Sequence, residues 1–291
     1  MGIDRVAVLG GGLMGSGIAE SVARAGIEVT VRDLDEAAIA GAGTRIAASL
    51  NRAVEGGKLD GDQAEEIRRR ITMTSDLDRI ADADLVIEAV PENAELKAGI
   101  LAQVAGIVSA DALIASNTSS IPIAQLAAGI PAPERVLGLH FFSPVPVMRL
   151  VEVVTALDTS AETLEAAKDF AERIGKRAIV TKDRSGFVVN MLLVPYLMAA
   201  VRMYEEEFAS AADIDEGMKL GCGHPMGPLT LADFIGLDVL YSVCDSLYEE
   251  FKQAEYAPPP LLKRMVASGR IGRKASRGFY EYGKVREATA A

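Results

Sequence analysis

The chain has 291 residues, of which 49% are hydrophobic and only 5% aromatic, so it is long enough for two domains with largely aliphatic cores. Its 41 acidic and 30 basic residues give a net charge of −11, which argues against a broad nucleic-acid-binding surface. The two cysteines, Cys222 and Cys244, cannot build a disulfide framework, and no signal segment or apolar run of about 18 residues occurs. The sequence therefore predicts a cytoplasmic protein without membrane or nucleic-acid partners.

Up to Thr181, short apolar or β-branched segments alternate with segments of helical pattern. Strands are predicted at residues 5–9, 28–32, 71–74, 85–89, 113–116, 136–141 and 150–154, and helices at residues 13–25, 36–54, 92–108 and 162–174. This alternation predicts a doubly wound, mostly parallel sheet. Only a short loop with Pro144 and Pro146 joins the last two strands, whereas a parallel crossover needs about a dozen residues. That last pair is therefore expected to be antiparallel.

Beyond Thr181 the predicted elements are all helical, at residues 187–208, 211–220, 228–251 and 260–268. A polar segment, Lys182-Asp183-Arg184-Ser185-Gly186, separates the two regions. The sequence thus predicts an α/β domain of the Rossmann type over residues 1–184 and an all-α domain over residues 185–291, with a frayed tail at 285–291.

A glycine motif follows the first predicted strand and opens the first helix. Gly10, Gly12 and Gly15 form G-x-G-x-x-G, and Asp33 follows at the end of the next strand. The glycines permit a tight turn, close approach to a pyrophosphate and close packing of helix on strand, while the carboxylate accepts ribose hydroxyls. Alone the motif also fits a structural corner; in this βαβ context it predicts a dinucleotide. Asp33 favours NAD, and the adjacent Arg32 leaves NADP open.

One histidine stands at the end of a predicted strand, where ligands bind in doubly wound folds. It is His140, and Glu152 follows on the neighbouring strand across the short loop. An alcohol dehydrogenase needs a base with a pKa near neutrality, and a carboxylate can orient that base. The alternatives are a satisfied core histidine and a solvated glutamate.

Four longer segments carry a family resemblance, namely Ser116-Asn117-Thr118-Ser119-Ser120, the stretch from Gly138 to Pro146 (GLHFFSPVP), Gly186-Phe187-Val188-Val189-Asn190, and His224-Pro225-Met226-Gly227-Pro228. In this order they resemble the 3-hydroxyacyl-CoA dehydrogenase family, most closely its short bacterial 3-hydroxybutyryl-CoA dehydrogenases. The resemblance implies a Rossmann domain, a helical domain for substrate binding and homodimerisation, and interconversion of (S)-3-hydroxyacyl-CoA, of short chain, with 3-oxoacyl-CoA by hydride transfer to or from NAD or NADP.

The resemblance also assigns roles residue by residue. The catalytic set falls on His140, Glu152, Ser119 and Asn190. The cofactor contacts fall on Gly10, Gly11, Gly12, Leu13, Met14, Gly15, Asp33, Glu92, Lys97, Ser119, Ser143 and Lys274. The substrate contacts fall on Ser49, Lys58, Ser119 and Asn190, and no metal is expected. Ser143 departs from the family pattern, because many relatives have asparagine there; serine is shorter but can still donate a hydrogen bond.

Several alternatives stay open on the residues alone. Ser119 could cap a helix, Asn190 could bond a neighbouring carbonyl, and Lys58 and Lys97 could be solvated. His224 is interpreted as structural. The same chemistry could act on a hydroxyacyl group held by an acyl carrier protein, or on a hydroxy or sugar acid. A nucleotide-sensing module without catalysis is a further alternative, which the presence of all four catalytic residues disfavours.

Overall fold

The structure is a computed structural model that describes residues 2–283, so the predicted frayed tail lies outside the described residues. The chain divides into two compact units, the first reaching to Arg184 and the second beginning at Ser185. The first unit is α/β and the second is helical in its described residues. The predicted fold class is therefore confirmed.

An eight-stranded sheet forms the centre of the first unit. Its strands are β1 (Arg5–Leu9), β2 (Glu28–Arg32), β3 (Ile71–Thr74), β4 (Leu85–Glu88), β5 (Leu113–Ser116), β6 (Val136–Phe141), β7 (Leu150–Thr155) and β8 (Arg177–Lys182). They lie in the order β3-β2-β1-β4-β5-β6-β7-β8, and neighbours are parallel except for β6 and β7. The antiparallel pair follows from the short loop between these strands, as predicted.

Helices cover this sheet. They are α1 (Leu13–Arg24), α2 (Glu36–Glu55), α3 (Gly61–Arg69), α4 (Ala94–Ala105), α5 (Ile123–Ala127) and α6 (Ala161–Arg173). Local polar side chains set where several begin, because they satisfy backbone N–H groups of the first turn. Asp35, Asp60, Asn93 and Ser160 each cap a helix in this way. Helix α1 differs, since no side chain caps it at Gly12.

The core of the first unit is aliphatic, as the composition predicts. Val6, Val8, Val29 and Val31 on adjacent strands are buried and pack with Ile18 of α1 in one hydrophobic cluster. Burying such a side chain contributes about 1.5–3 kcal/mol. This packing fixes α1 against β1 and β2, and so holds the connecting glycine turn at the carboxyl edge of the sheet.

The second unit contains α7 (Val189–Glu205), α8 (Ala211–Cys222), α9 (Pro228–Ile235), α10 (Leu237–Phe251) and α11 (Pro260–Ala267). Its own hydrophobic cluster includes Leu197, Leu229, Leu240 and Leu262. In the described part of the chain, no helix combines the length and apolar character needed to cross a membrane.

One predicted element was wrong, and one strand was not predicted. The predicted helix 228–251 is two helices, because Gly236 between them has φ +102°, a conformation that ends a helix and favours glycine. Strand β8 was not predicted at all. It forms an edge of the sheet and has no fully buried residue, and its apolar run, Ala178-Ile179-Val180, is only three residues long.

Candidate active site

The glycine turn between β1 and α1 is tightly constrained at two of its three motif positions. Gly10 has φ +90°, and an added Cβ there would lie 2.8 Å from the carbonyl oxygen of Ala89. A Cβ at Gly15 would lie 1.8 Å from the carbonyl oxygen of Gly10. At Gly12, in contrast, nothing lies within 4 Å of the added atom, and the residue is exposed. The turn therefore packs tightly against the protein at Gly10 and Gly15 and leaves free space beside Gly12.

This opening fits a pyrophosphate. Helix α1 begins at Leu13 with neither a capping side chain nor an acidic residue in its first turn. A helix N-terminus of this kind presents backbone N–H groups and the positive end of the helix dipole to an anion. The residues present thus match the diphosphate of a dinucleotide at this turn.

Asp33 follows β2 beside the turn. Its Oδ2 accepts the N–H of Gly11 at 2.7 Å and its Oδ1 accepts the N–H of Leu34 at 2.7 Å, so the half-buried carboxylate has a fixed orientation. Two cations nearby donate to backbone carbonyls: Arg45 to Gly11 at 3.1 Å and Arg32 to Ser75 at 3.3 Å. A carboxylate oxygen has further lone pairs, so Asp33 can still accept a ribose hydroxyl.

His140 and Glu152 are direct partners across the antiparallel strands β6 and β7. Nδ1 of His140 lies 2.6 Å from Oε2 of Glu152. The two residues are 6% and 0% exposed, respectively. A carboxylate buried this deeply requires a partner, and here the partner is the imidazole. The interpretation of Glu152 as a solvated residue is therefore wrong.

A second charge cluster lies at the carboxyl ends of β4 and β5, with Lys97 and Glu88 buried and Glu92 exposed. The ammonium of Lys97, in a residue only 1% exposed, contacts Oε1 of Glu88 at 2.7 Å, Oε2 of Glu92 at 3.2 Å and the carbonyl oxygen of Val90 at 3.1 Å. Oε1 of Glu92 accepts the N–H of Ser119 at 3.0 Å. The cluster thereby fixes the loop that carries Ser119.

The environment of Glu92 keeps its carboxyl ionised. Burial alone would raise the pKa of Glu92, but the charge of Lys97 and hydrogen bonds from Thr118 and Ser119 lower it below the usual value. The alternative of a solvated Lys97 is wrong, because the three N–H groups of its ammonium all have protein acceptors. Direct contact of Lys97 with the cofactor stays a prediction.

Sequence reasoning missed two residues of this edge. Glu88, which is fully buried, also accepts the hydroxyl of Ser116 at 2.6 Å. Its signal was a carboxylate at the end of the apolar strand β4, where a buried charge needs a partner. Asn117 was also overlooked, and its Oδ1 accepts the N–H of Phe141 at 2.9 Å, joining the ends of β5 and β6. Asparagine after a strand is common in turns, so its place in the family segment at residues 116–120 did not predict this contact.

The other predicted residues of the first unit are spread over its surface. Ser143 is exposed in the loop between β6 and β7. Ser49 is half-buried on α2, and Lys58 is exposed just after that helix. No described hydrogen bond or ion pair joins Ser143, Ser49 or Lys58 to the His140–Glu152 pair. The contact of Ser143 with the cofactor and the contacts of Ser49 and Lys58 with a substrate stay predictions.

Three predicted residues belong to the second unit. Asn190 is half-buried in the first turn of α7. Lys274 pairs with Asp238 at 2.6 Å, and Nδ1 of His224 lies 3.1 Å from the hydroxyl of Tyr196. The roles of Asn190 and Lys274 in the site stay predictions.

The strand order and the turn together define the class of the first unit. Strands in the order 3-2-1-4-5-6, with a glycine turn after the first strand and an acidic residue after the second, are the Rossmann arrangement of dinucleotide-binding proteins. The histidine–carboxylate pair adds an acid–base group at the carboxyl end of β6, on the side where such folds bind ligands.

Comparison with known proteins identifies the family. Residues 5–184 match the family model of the 3-hydroxyacyl-CoA dehydrogenase NAD binding domain, and residues 186–282 match that of the 3-hydroxyacyl-CoA dehydrogenase C-terminal domain. The chain belongs to the 3-hydroxyacyl-CoA dehydrogenase family. The predicted resemblance, oxidoreductase class and NAD cofactor are thereby confirmed.

Individual relatives are similar over nearly their full length. A 3-hydroxybutyryl-CoA dehydrogenase of Mycobacterium tuberculosis is 50% identical over 282 residues, covering 96% of this chain and 99% of the relative. A probable 3-hydroxybutyryl-CoA dehydrogenase of Bacillus subtilis is 43% identical, covering 97% and 98%. The crystal structure of (S)-3-hydroxybutyryl-CoA dehydrogenase PaaH1 from Ralstonia eutropha matches with a TM-score of 0.91 at 44% identity, covering 97% of this chain and 100% of that one.

Proposed function

We propose that the protein interconverts (S)-3-hydroxybutyryl-CoA and acetoacetyl-CoA with NAD as the hydride acceptor or NADH as the donor. The 2.6 Å contact between His140 and Glu152 at the carboxyl end of β6 carries this proposal, because it supplies an oriented base on the ligand side of the sheet. The names of the similar proteins support the four-carbon CoA thioester as substrate.

The proton path follows from the pair. In the oxidative direction, Nε2 of His140 takes the proton of the 3-hydroxyl group while the hydride leaves C3. Glu152 accepts the N–H at Nδ1 and so selects the neutral tautomer whose Nε2 can take a proton. Its charge also stabilises the imidazolium that forms. NAD, when bound, supplies the acceptor for the hydride. In the reductive direction the imidazolium returns its proton to the 3-oxo oxygen.

Ser119 and Asn190 complete the proposed catalytic set. Ser119 donates its N–H to Glu92 at 3.0 Å, and Glu92 is in turn paired with the buried Lys97. The hydroxyl of Ser119 also donates to Oε1 of Glu92 at 3.3 Å, and in this proposal it turns from that carboxylate to the reacting oxygen while the backbone stays fixed. Asn190 supplies a second hydrogen-bond donor to that oxygen in this proposal, and Ser49 and Lys58 bind the CoA moiety.

The proposed assembly is a homodimer formed through the second unit. Leu192, Ala199 and Met203 lie on one face of α7, and all three are exposed. Leu220 of α8 and Phe208 add two more exposed large apolar side chains. Apolar surface of this kind favours burial against a second copy. Light scattering coupled to size-exclusion chromatography tests this, and a monomer at micromolar concentration would contradict it.

We place the protein in the cytoplasm.

One spectrophotometric panel tests the reaction. Acetoacetyl-CoA and NADH are expected to give a fall in absorbance at about 340 nm, with weaker turnover when NADPH replaces NADH, since the carboxylate of Asp33 disfavours a 2′-phosphate. The matched arm uses an acetoacetyl thioester of an acyl carrier protein. Faster turnover of the carrier thioester, or no turnover of either thioester, would overturn the proposal.

A further inference from the structure

A lysine outside the predicted site holds the loop that follows the catalytic strand. Lys176, just before β8, is only 7% exposed. Its Nζ donates to the carbonyl oxygen of Val145 at 2.5 Å and to that of Met148 at 2.7 Å. Both acceptors belong to the loop between β6 and β7, so one ammonium binds two points of this loop.

The loop connects directly to the candidate active site. It begins after Phe141, the residue next to His140, and it carries Ser143. Within the loop, the N–H groups of Val147 and Met148 both donate to the carbonyl oxygen of Pro144, which makes it a compact turn. Because the turn is compact, a contact at Val145 and Met148 constrains its whole position.

Helix α1 supports the same loop from another direction. A Cβ added at Gly17 would lie 3.0 Å from Cβ of Val145 and 3.4 Å from Cδ of Pro146, so the helix and the loop approach as closely as a glycine allows. Glu20, one turn further along α1, is buried and pairs with Arg24 at 2.6 Å. The loop therefore lies between α1, which begins at the glycine turn, and Lys176.

The position of Lys176 has an energetic cost. Burial lowers the pKa of its ammonium, the charge of Arg24 lowers it further, and the charge of Glu20 opposes this decrease. Two backbone carbonyls alone compensate a buried cation less well than a carboxylate does. Burying the ammonium of Lys176 against backbone acceptors therefore costs free energy. A function that requires the loop in one position would explain why the chain has a lysine here.

We propose that Lys176 is a positioning residue for the dehydrogenase reaction: it fixes the β6–β7 loop against α1 and so sets the spacing between the glycine turn and His140. This inference rests on the proposed function. The diphosphate side of the cofactor site depends on the glycine turn at the start of α1 and on Asp33, for which no hydrogen bond to the loop is described. Loss of the lysine should therefore misplace the reacting half of the cofactor relative to His140 while binding of the adenosine half persists.

The test compares Lys176→Met with Lys182→Met. Methionine keeps a long apolar stem but donates no hydrogen bond, and Lys182 is an exposed lysine at the other end of the same strand. Lys176→Met is expected to lower kcat about 10- to 100-fold, the cost of misplacing a reacting group by about 1 Å. Its Kd for ADP-ribose should stay within about twofold of the wild-type value, and the emission maximum of bound NADH should shift. Lys182→Met should change none of these.

A second variant reaches the loop from the other side, which keeps the inference testable if Lys176→Met does not fold. Gly17→Ala places a methyl group against Val145 and should give the same pattern: reduced kcat, retained ADP-ribose binding and altered NADH emission. A kcat within about twofold of wild type in the folded Lys176→Met protein would overturn the inference. So would a parallel loss of ADP-ribose affinity, which indicates general disruption. If wild-type protein fails to reduce acetoacetyl-CoA, the proposed function fails, while the ADP-ribose and NADH emission comparisons still test the loop.

Discussion

Glu152 lies directly opposite His140 in the antiparallel ladder of β6 and β7, with Nδ1 and Oε2 2.6 Å apart. Directly opposed residues in such a ladder share one face of the sheet, and a slip of one residue would send the carboxylate to the other face. The register of these two strands is therefore a condition for the proposed chemistry. The short loop between them sets that register.

Replacing the base should stop the chemistry and leave cofactor binding intact. His140→Gln is expected to lower kcat for acetoacetyl-CoA reduction about 10²- to 10⁴-fold, the usual contribution of a general acid or base. NADH binding, followed by fluorescence, should change little, because the glycine turn and Asp33 are untouched. Near-normal turnover of this variant would rule out His140 as the acid–base group.

Replacing the orienting carboxylate should produce a related but separate defect. Glu152→Gln keeps the size of the side chain but removes the charge that stabilises the imidazolium, so kcat should fall by about two to four orders of magnitude. Steady-state kinetics of this variant beside Glu165→Gln, an exposed glutamate of α6, make the comparison. If the two variants behave alike, the pair has no catalytic role.

Removing one carboxylate from the charge cluster around Lys97 should destabilise the protein. Glu88→Gln leaves the buried ammonium of Lys97 with one carboxylate instead of two, and breaking a buried ion pair costs about 3–5 kcal/mol. The free energy of unfolding in urea should fall by an amount of this order. Glu95→Gln, at an exposed position of α4, is the control and should change it by less than about 0.5 kcal/mol. Equal stability of both variants would contradict the contacts described for Glu88.

Asp33 should decide the preference for NADH over NADPH. Asp33→Ser removes the charge that disfavours a 2′-phosphate and weakens the hydrogen bond to the ribose. NADH affinity is expected to fall about 10- to 100-fold, as for loss of a charged hydrogen bond of about 1.5–3 kcal/mol, and NADPH affinity should fall less or rise. Equilibrium titration with both reduced cofactors measures this. An unchanged ratio of the two affinities would show that Asp33 does not contact the adenosine ribose.

The thiol of Cys244 should make stability depend on pH in the alkaline range. Burial raises the pKa of Cys244 to about 12, above its value in the unfolded chain. Stability from this thiol is therefore fully present below the unfolded pKa of about 8.5 and is lost as pH rises through the folded value. Between pH 8 and 10, Cys222→Ala protein should lose about 1–2 kcal/mol more than the Cys222→Ala, Cys244→Ala double variant in urea unfolding. Identical pH slopes would contradict a buried neutral thiol.

Local sequence patterns were enough for most of the first unit. The apolar run Val6–Leu9 of β1 and the polar–apolar alternation of β2 both lie at interior positions of the sheet and are plain strand signals. The loop between β6 and β7 is too short for a parallel crossover, so these strands were predicted to be antiparallel neighbours. That prediction already placed His140 beside the strand that carries Glu152. Strand β8 and the break at Gly236 were missed, because the apolar run of β8 is only three residues long and one glycine inside a helical pattern is often tolerated.

The sequence by itself determined the alternation of strands and helices up to β7, the glycine turn and the antiparallel pairing of the strands that carry His140 and Glu152, because each depends on residues close together in the chain. Only the tertiary structure decided what the buried lysines do. Lys97 meets Glu88 and Glu92 in a cluster that also holds Ser119, and Lys176 reaches back 31 residues to Val145. A charged side chain in a helical or strand pattern reads as solvated, and only packing by distant segments buries it and chooses its partners.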